Sequence, residues 1–414
     1  MKIFKKAVAL LLVAIFAVSL TACHPKDEVA VSVGDYKITS AMYSYFLIAA
    51  DNEARNIIDS DTKINKQAEN FSYYNQKIQN KPFETYVKDL ALENCLNHIA
   101  LLKLCNEAGV KLNDTEIANI KAEAKKLWYE GDYQTLPAMN ALEPNGVGYA
   151  TFEKLFIEQN YYGAYFNSLY DEGGTKAVSK ETITKTLTDK YVAAYVIEHD
   201  YSTNANAKME EVKAELQKYV DAFNEGKTYE EVKKMYDDDQ KAKTEADKKE
   251  ENKEESKEET KEETKEESKE ETKEESKEES KEETKEESKE EDKKDENAPK
   301  DSNIKIYTNY ETSSYVGYVA YFDQINKLEL NKATLVEDVT NKKVYVVQKK
   351  DITADGFYLK ALKAEILNML KGKELDNAIA SHAKSLQYSV NNWAIDQFKV
   401  KDIKYPEIDP NIYY

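Results

Sequence analysis

Ala30-Val31-Ser32-Val33-Gly34-Asp35-Tyr36-Lys37-Ile38-Thr39 decides how this chain begins to fold. Side chains alternate on either side of Gly34-Asp35, the pattern of two strands joined by a tight turn. Thr39 or Ser40 then offers a helix N-cap. A helix follows through Met42, Tyr45, Phe46 and Ile48. Residues 60–80 are polar and read as a loop. A helix over 84–108 repeats its apolar positions with a helical period and stops at Gly109. Asn113-Asp114-Thr115-Glu116 caps another helix to about Tyr129. Pro137, Pro144 and three Gly mark 130–148 as a loop. Thr151–Tyr170 is a Tyr- and Phe-rich helix closed by Gly173-Gly174, and Ser179-Lys180-Glu181-Thr182 opens the next.

The character changes at Tyr191-Val192-Ala193-Ala194-Tyr195-Val196-Ile197, which reads as a buried strand. An amphipathic helix over 208–225 ends at Gly226, and a short helix spans 229–236. Strand-like runs return at 314–321 and 344–348. Asp355-Gly356 turns into a last helical stretch, 357–384, and an irregular tail follows.

Upstream of the hairpin, Lys2, Lys5 and Lys6 precede an apolar run, Ala7–Leu20, and then Leu20-Thr21-Ala22-Cys23. The run is shorter than the roughly 20 residues that span a bilayer and suits the apolar part of a signal peptide. The last four residues resemble the lipobox of bacterial lipoproteins, which implies lipidation of Cys23 and anchoring to a membrane. Abundant Lys, Asn and Tyr, with Arg55 as the only Arg, fit an AT-rich genome and a Gram-positive host.

The 414-residue chain has a net charge of −19, which argues against nucleic acid as a partner. Ten tetrads of the form Lys-Glu-Glu-Ser/Thr run from Lys253 to Asp292 and hold ten Lys against twenty Glu and one Asp, so −11 of that charge is local. They contain nothing apolar to bury, and an extended, solvated segment is expected. Cys95 and Cys105 fall ten residues apart on one helix, about 15 Å at a helical rise, too far for a disulfide. His24, His98, His199 and His382 lack ligand spacing, so no metal site and no cofactor are expected. Tyr161, Tyr162, Tyr165, Phe166 and Tyr170 read as core with a share of interaction surface.

In order, the 31–39 hairpin, Tyr86-Val87-Lys88-Asp89-Leu90-Ala91-Leu92-Glu93-Asn94, Ala108-Gly109-Val110 and Asn113-Asp114-Thr115-Glu116 resemble the N-terminal chaperone region of PrsA/SurA-type foldases. Residues 191–350 without the tetrads resemble a parvulin domain, and 357–405 a C-terminal helix and tail that return to the N-terminal region. The resemblance implies an α+β chain. A signal peptide (1–22) and tether (23–28) precede a mostly helical chaperone region (29–187). A small parvulin-like α/β domain (188–239 and 304–352) is interrupted by a charged low-complexity insertion (240–303), and 353–414 closes the chain.

It also implies a site. The first-strand His of parvulins falls on Tyr195, the last-strand His on Tyr345, and the acid or thiol on Asp239. Only Gly317 of the family's Gly-rich loop is kept, and the segment that grips a proline ring is shortened. The resemblance therefore implies a lipid-anchored chaperone on the outer face of the membrane, binding unfolded secreted proteins, with an inactive isomerase domain. The alternatives are a working prolyl isomerase using Asp239, Tyr195 and Tyr345, or a surface or solute-binding lipoprotein. Clients and oligomeric state are left open.

Overall fold

The computed structural model describes residues 28–131, 136–202, 208–258, 301–309, 322–354 and 356–406, with backbone alone for 246–258. The lipobox with Cys23, the tetrads beyond Glu258, the strand-like run 314–321 and Gly317 lie outside the described residues. The chain divides into two units, residues 1–178 with 367–414, and residues 179–366.

In the first unit, β1 (Val29–Val33) and β2 (Tyr36–Thr39) form the expected antiparallel hairpin. Gly34 takes φ +58 in its two-residue turn, a conformation that is strained for a residue with a Cβ. Thr39 caps α1 (Ser40–Ser60) by accepting from the Met42 N–H at 3.3 Å. Residues 60–80 are less irregular than expected. A 3-10 turn at Tyr73–Asn75 leads into a second hairpin, β3 (Lys77–Ile78) and β4 (Lys81–Pro82). Its turn residues Gln79 and Asn80 both take positive φ. Then come α2 (Phe83–Glu107) and α3 (Asp114–Tyr129), the latter started by a complete Asn113/Glu116 capping box. The 130–148 stretch contains a short helix, α4 (Ala138–Leu142), whose Leu142 is buried with Trp128 and Phe152. That contact gives five residues a reason to coil between two prolines. The long aromatic helix is α5 (Tyr149–Tyr170).

The second unit starts with α6 (Lys180–Lys190), capped by Ser179, and β5 (Tyr191–Asp200). α7 (Met209–Asn224) follows. The helix expected to stop at Tyr236 instead runs on as α8 (Tyr229–Glu258), through the first tetrad. Lys, Glu, Gln and Ala from 240 onward are strong helix formers, and nothing there breaks the helix. The boundary placed at 239/240 thus falls mid-helix. β6 (Lys305–Thr308), α9 (Phe322–Asn326), β7 (Ala333–Asp338), β8 (Lys343–Lys350) and α10 (Phe357–Ala361) complete the unit. The sheet has the order β6-β5-β8-β7 and is antiparallel throughout.

Strand alternation gives that sheet two separate cores. Ile197, Val344 and Val346 meet Val212, Leu216, Tyr219 and Phe223 of α7 on one face. Val192, Ala194, Val196, Val336, Tyr345 and Val347 meet Phe322 and Ile325 of α9 on the other. Each fully buried aliphatic or Phe side chain contributes about 1.5–3 kcal/mol.

The chain re-enters the first unit at Leu367, within α11 (Lys363–Ser385), rather than at 353. Tyr358, Leu362 and Ile366 are buried and belong to the second unit, so the division falls C-terminal of the expected place. From 389 to 402 the tail forms regular elements rather than an irregular run. β9 (Ser389–Val390) pairs antiparallel with β1, and α12 (Asn392–Asp396) and a 3-10 turn at Val400–Asp402 follow. Ala394 and Val400 are buried in the same core as Ala30, Leu47 and Phe83.

Candidate functional site

Tyr195 sits midway along β5 on the α7 face of the sheet, directly across from Gln348 of β8. Its ring centroid is 4.9 Å from Tyr229 and 6.4 Å from Phe223, nearly parallel to the latter, and the Lys350 ammonium lies 4.9 Å from it. Its hydroxyl donates to Asp301. Burial, and after it the Asp301 carboxylate, pushes the Tyr195 phenol up and keeps it protonated. Tyr195, Phe223, Tyr229 and Lys350 wall an open groove of about 520 Å³ that also takes in Lys227, Leu330, Lys332 and Gln348.

Asp239 is elsewhere. It lies on α8 and accepts from Lys218 Nζ at 2.6 Å and the Tyr219 hydroxyl at 2.7 Å. Lys218, then Tyr219, hold its carboxyl below the usual range. It therefore stays ionised and engaged with α7, and it does not line the Tyr195 groove.

Tyr345 pairs with Glu198 on β5 and Val336 on β7, and its side chain is buried in the α9-side core. Tyr195 and Tyr345 thus occupy opposite faces of the sheet. The trio expected to share one site is not brought together. The physical reason is register: Tyr345 lies opposite Glu198, an odd number of residues from Tyr195, so their side chains emerge on opposite sides. On Tyr345's face, β5 presents only Val192, Ala194 and Val196 to the core.

In the helical unit, Phe166 and Tyr170 of the aromatic helix are core, while Tyr161 and Tyr165 are half-buried. Tyr162 donates to Asp376 at 2.8 Å, and Tyr170 to Glu374 at 3.2 Å, tying α5 to α11. Asn97, His98, Leu101, Tyr162, Asp376 and Ile379 line a cleft of about 310 Å³. His98 Nε2 there lies 2.9 Å from Glu158, the partner that a His on an apolar helix needs. Among the described residues the most exposed aromatics of the unit are Trp393 at 58%, Tyr129 at 51% and Tyr388 at 47%. Trp393 and Tyr388 flank β9, in the stretch read from sequence as an irregular tail. The signal for them was present in the sequence, two aromatics among polar residues.

Among the described residues no cluster of three or more His, Cys, Asp or Glu could hold a metal ion. No described helix is long and apolar enough to cross a membrane. No family model matches the sequence, and no curated protein sequence matches it. Among solved structures the chain is similar to a foldase protein, PrsA, from Lactococcus lactis, with 13% identity and a TM-score of 0.34, over 90% of this chain and 100% of that one.

Proposed function

We propose that this chain is an extracytoplasmic foldase or chaperone, anchored to the outer face of the membrane through a lipidated Cys23, that assists secreted proteins to fold. Its clients are unfolded chains, held by reversible contact with exposed aromatic side chains such as Trp393, Tyr388 and Tyr129. Its parvulin-like unit has no isomerase activity, and no cofactor is needed.

The observation that carries this reading is the layout of the two units. A helical unit is left open by its N-terminal residues and completed by its C-terminal ones, with a contiguous sheet unit, residues 179–366, inserted between. This is the arrangement that the resemblance of residues 29–187, 191–350 and 357–405 to PrsA/SurA-type foldases implies. Inactivity is supported by Asp239 being bound to Lys218 and Tyr219 and by Tyr345 being buried away from Tyr195. Prolyl isomerisation needs a seat for the ring beside the amide, whose barrier is about 18–20 kcal/mol.

The test is a matched pair of assays on one denatured secreted protein. Suppression of its aggregation should be clear, and should fall when Trp393 and Tyr388 are both changed to Ala. Its proline-limited refolding should not be accelerated by catalytic amounts. Acceleration abolished by Asp239→Ala would instead establish an isomerase. Failure of both assays would end the foldase reading.

A further inference from the structure

The groove beside Tyr195 is not explained by foldase contacts in the helical unit. It lies on the α7 face of the sheet, away from Tyr345. Its charge is unusual for this molecule. Lys227, Lys332 and Lys350 line it against a single lining carboxylate, Glu230, in a chain of net charge −19. Lys227 and Lys332 are exposed, and so is Leu330, at 52%. Tyr229 and Phe223 form a ring wall behind them. Lys350 is held in place by Asn331 Oδ1 at 2.8 Å.

The chain shows how a carboxylate sits at this edge. Asp301 accepts from the Tyr195 hydroxyl, and its other oxygen accepts the Asn303 N–H at 2.9 Å. Asn303 in turn donates to Glu230 at 3.0 Å, so the one lining carboxylate is already engaged. Lys227 Nζ lies 3.7 Å from Met235 Sδ, a weak acceptor that a carboxylate would displace, and Lys332 is exposed, so lysines without an acidic partner among the described residues line a groove of about 520 Å³, large enough for several residues of an extended chain.

We propose that this groove is a second polypeptide-binding site, selective for acidic extended segments in which carboxylates alternate with apolar side chains. The carboxylates meet Lys227, Lys332 and Lys350. The apolar side chains lie against Leu330 and Tyr229. Exposed lysines in this arrangement give selectivity and fast capture more than raw affinity, and the contact weakens with salt. That the segment belongs to a client rests on the foldase reading; the groove's preference for acidic chains does not.

The experiment uses the full-length chain and a short labelled peptide of alternating Glu, Leu and Phe, with a Gln-for-Glu peptide as control, followed by fluorescence anisotropy. The acidic peptide should bind about tenfold or more tightly than the Gln peptide at low salt, and Lys227→Glu with Lys332→Glu should erase that difference. Both positions are exposed, and an unchanged melting curve certifies the variant's fold. Equal binding of the two peptides, or a charge reversal without effect, overturns the proposal. So does a rise in affinity of about tenfold on deleting residues 259–300, because the chain's own acidic tetrads would then be the occupant. Aggregation suppression read on the same variants separates the two claims: its loss with Trp393→Ala concerns the foldase reading alone, and the peptide assay concerns the groove alone.

Discussion

Tyr195 and Tyr345 stand on neighbouring strands of one sheet and point away from each other, Tyr195 into the α7 side and Tyr345 into the α9 side. They share no packing cluster, so their contributions to stability should be independent. Tyr195→Phe, Tyr345→Phe and the double variant, unfolded in urea, should give a coupling within about 0.3–0.5 kcal/mol of zero. A coupling of 1 kcal/mol or more, the order typical of residues in one network, would mean that the two rings act as one site.

Asp239 supplies a prediction about pH. Its folded carboxyl is held low, first by Lys218 and then by Tyr219. A carboxyl of depressed folded pKa gives stability that is fully present above its unfolded value, near 4, and is lost as pH falls through the lower folded value. Asp239→Asn should therefore lower stability at neutral pH by the amount of a surface pair, about 1 kcal/mol or less. The gap between variant and parent should close in acid, below about pH 4. Melting curves at neutral and acid pH decide it, and a gap that widened in acid would contradict the assignment.

Arg55 is matched to a buried carboxylate. Asp51 is fully buried, and its Oδ2 accepts from Arg55 Nε at 2.5 Å and from the Tyr405 hydroxyl. The guanidinium lies 4.4 Å from the Tyr73 ring centroid and 4.9 Å from that of Tyr405. Removing one partner leaves a buried charge uncompensated, so Arg55→Ala should cost about 3–5 kcal/mol. Replacing Asp51 as well, with Asp51→Leu, should recover part of that. Denaturant titration measures both, and a cost under about 1 kcal/mol would put the pair in the class of surface ion pairs.

The parts of the fold that were legible in the sequence are those set by local chemistry. The Gly34 turn, the Thr39 cap and the Asn113/Glu116 box each carry their own signal, and each was found in place. What sequence missed depends on partners far along the chain. Ser389-Val390 is too short to read as a strand until β1 lies beside it, and α4 forms because Leu142 has Trp128 and Phe152 to pack on. The residues singled out by resemblance lie apart because in a strand one position exchanges the faces, and Tyr195 and Tyr345 are out of phase across their ladder. Lys227 and Lys332 gave no signal, since lone lysines in turns are ordinary.

Anchoring should depend on Cys23. The apolar run before it is too short to span a bilayer, and no described helix of the chain can do so. The attachment proposed above is lipid on this one residue. Cys23→Ser, expressed with its leader intact, should yield a soluble or unprocessed chain on membrane fractionation, whereas retention after correct processing would end the lipoprotein reading.

The helical unit should fail without its C-terminal residues, while the sheet unit should not. Val31 pairs with Val390, Ser32 pairs with Ser389, and the Asn391 N–H donates to the Ala30 carbonyl at 2.8 Å. Ala394 and Val400 fill the core, the Lys404 N–H donates to Asn145 at 2.8 Å, and Tyr405 donates to Asp51. A chain ending at Ser385 loses all of these at once. It leaves β1 as an open edge, a core lacking two buried side chains and a buried carboxylate with one donor fewer. Losses of buried apolar groups and of buried hydrogen bonds each run from about 1 to several kcal/mol, against a total stability of about 5–15 kcal/mol for a domain. Their sum is enough to unfold the unit. Residues 179–366 are contiguous and carry their own cores on both faces of their sheet, so they need nothing from the tail. Limited proteolysis of the truncated chain should therefore leave a fragment spanning the sheet unit and digest α1 to α5, with one melting transition kept and one lost. Survival of α1 to α5 would mean that the N-terminal residues close on themselves, and that the return of the chain is decoration on a unit already complete.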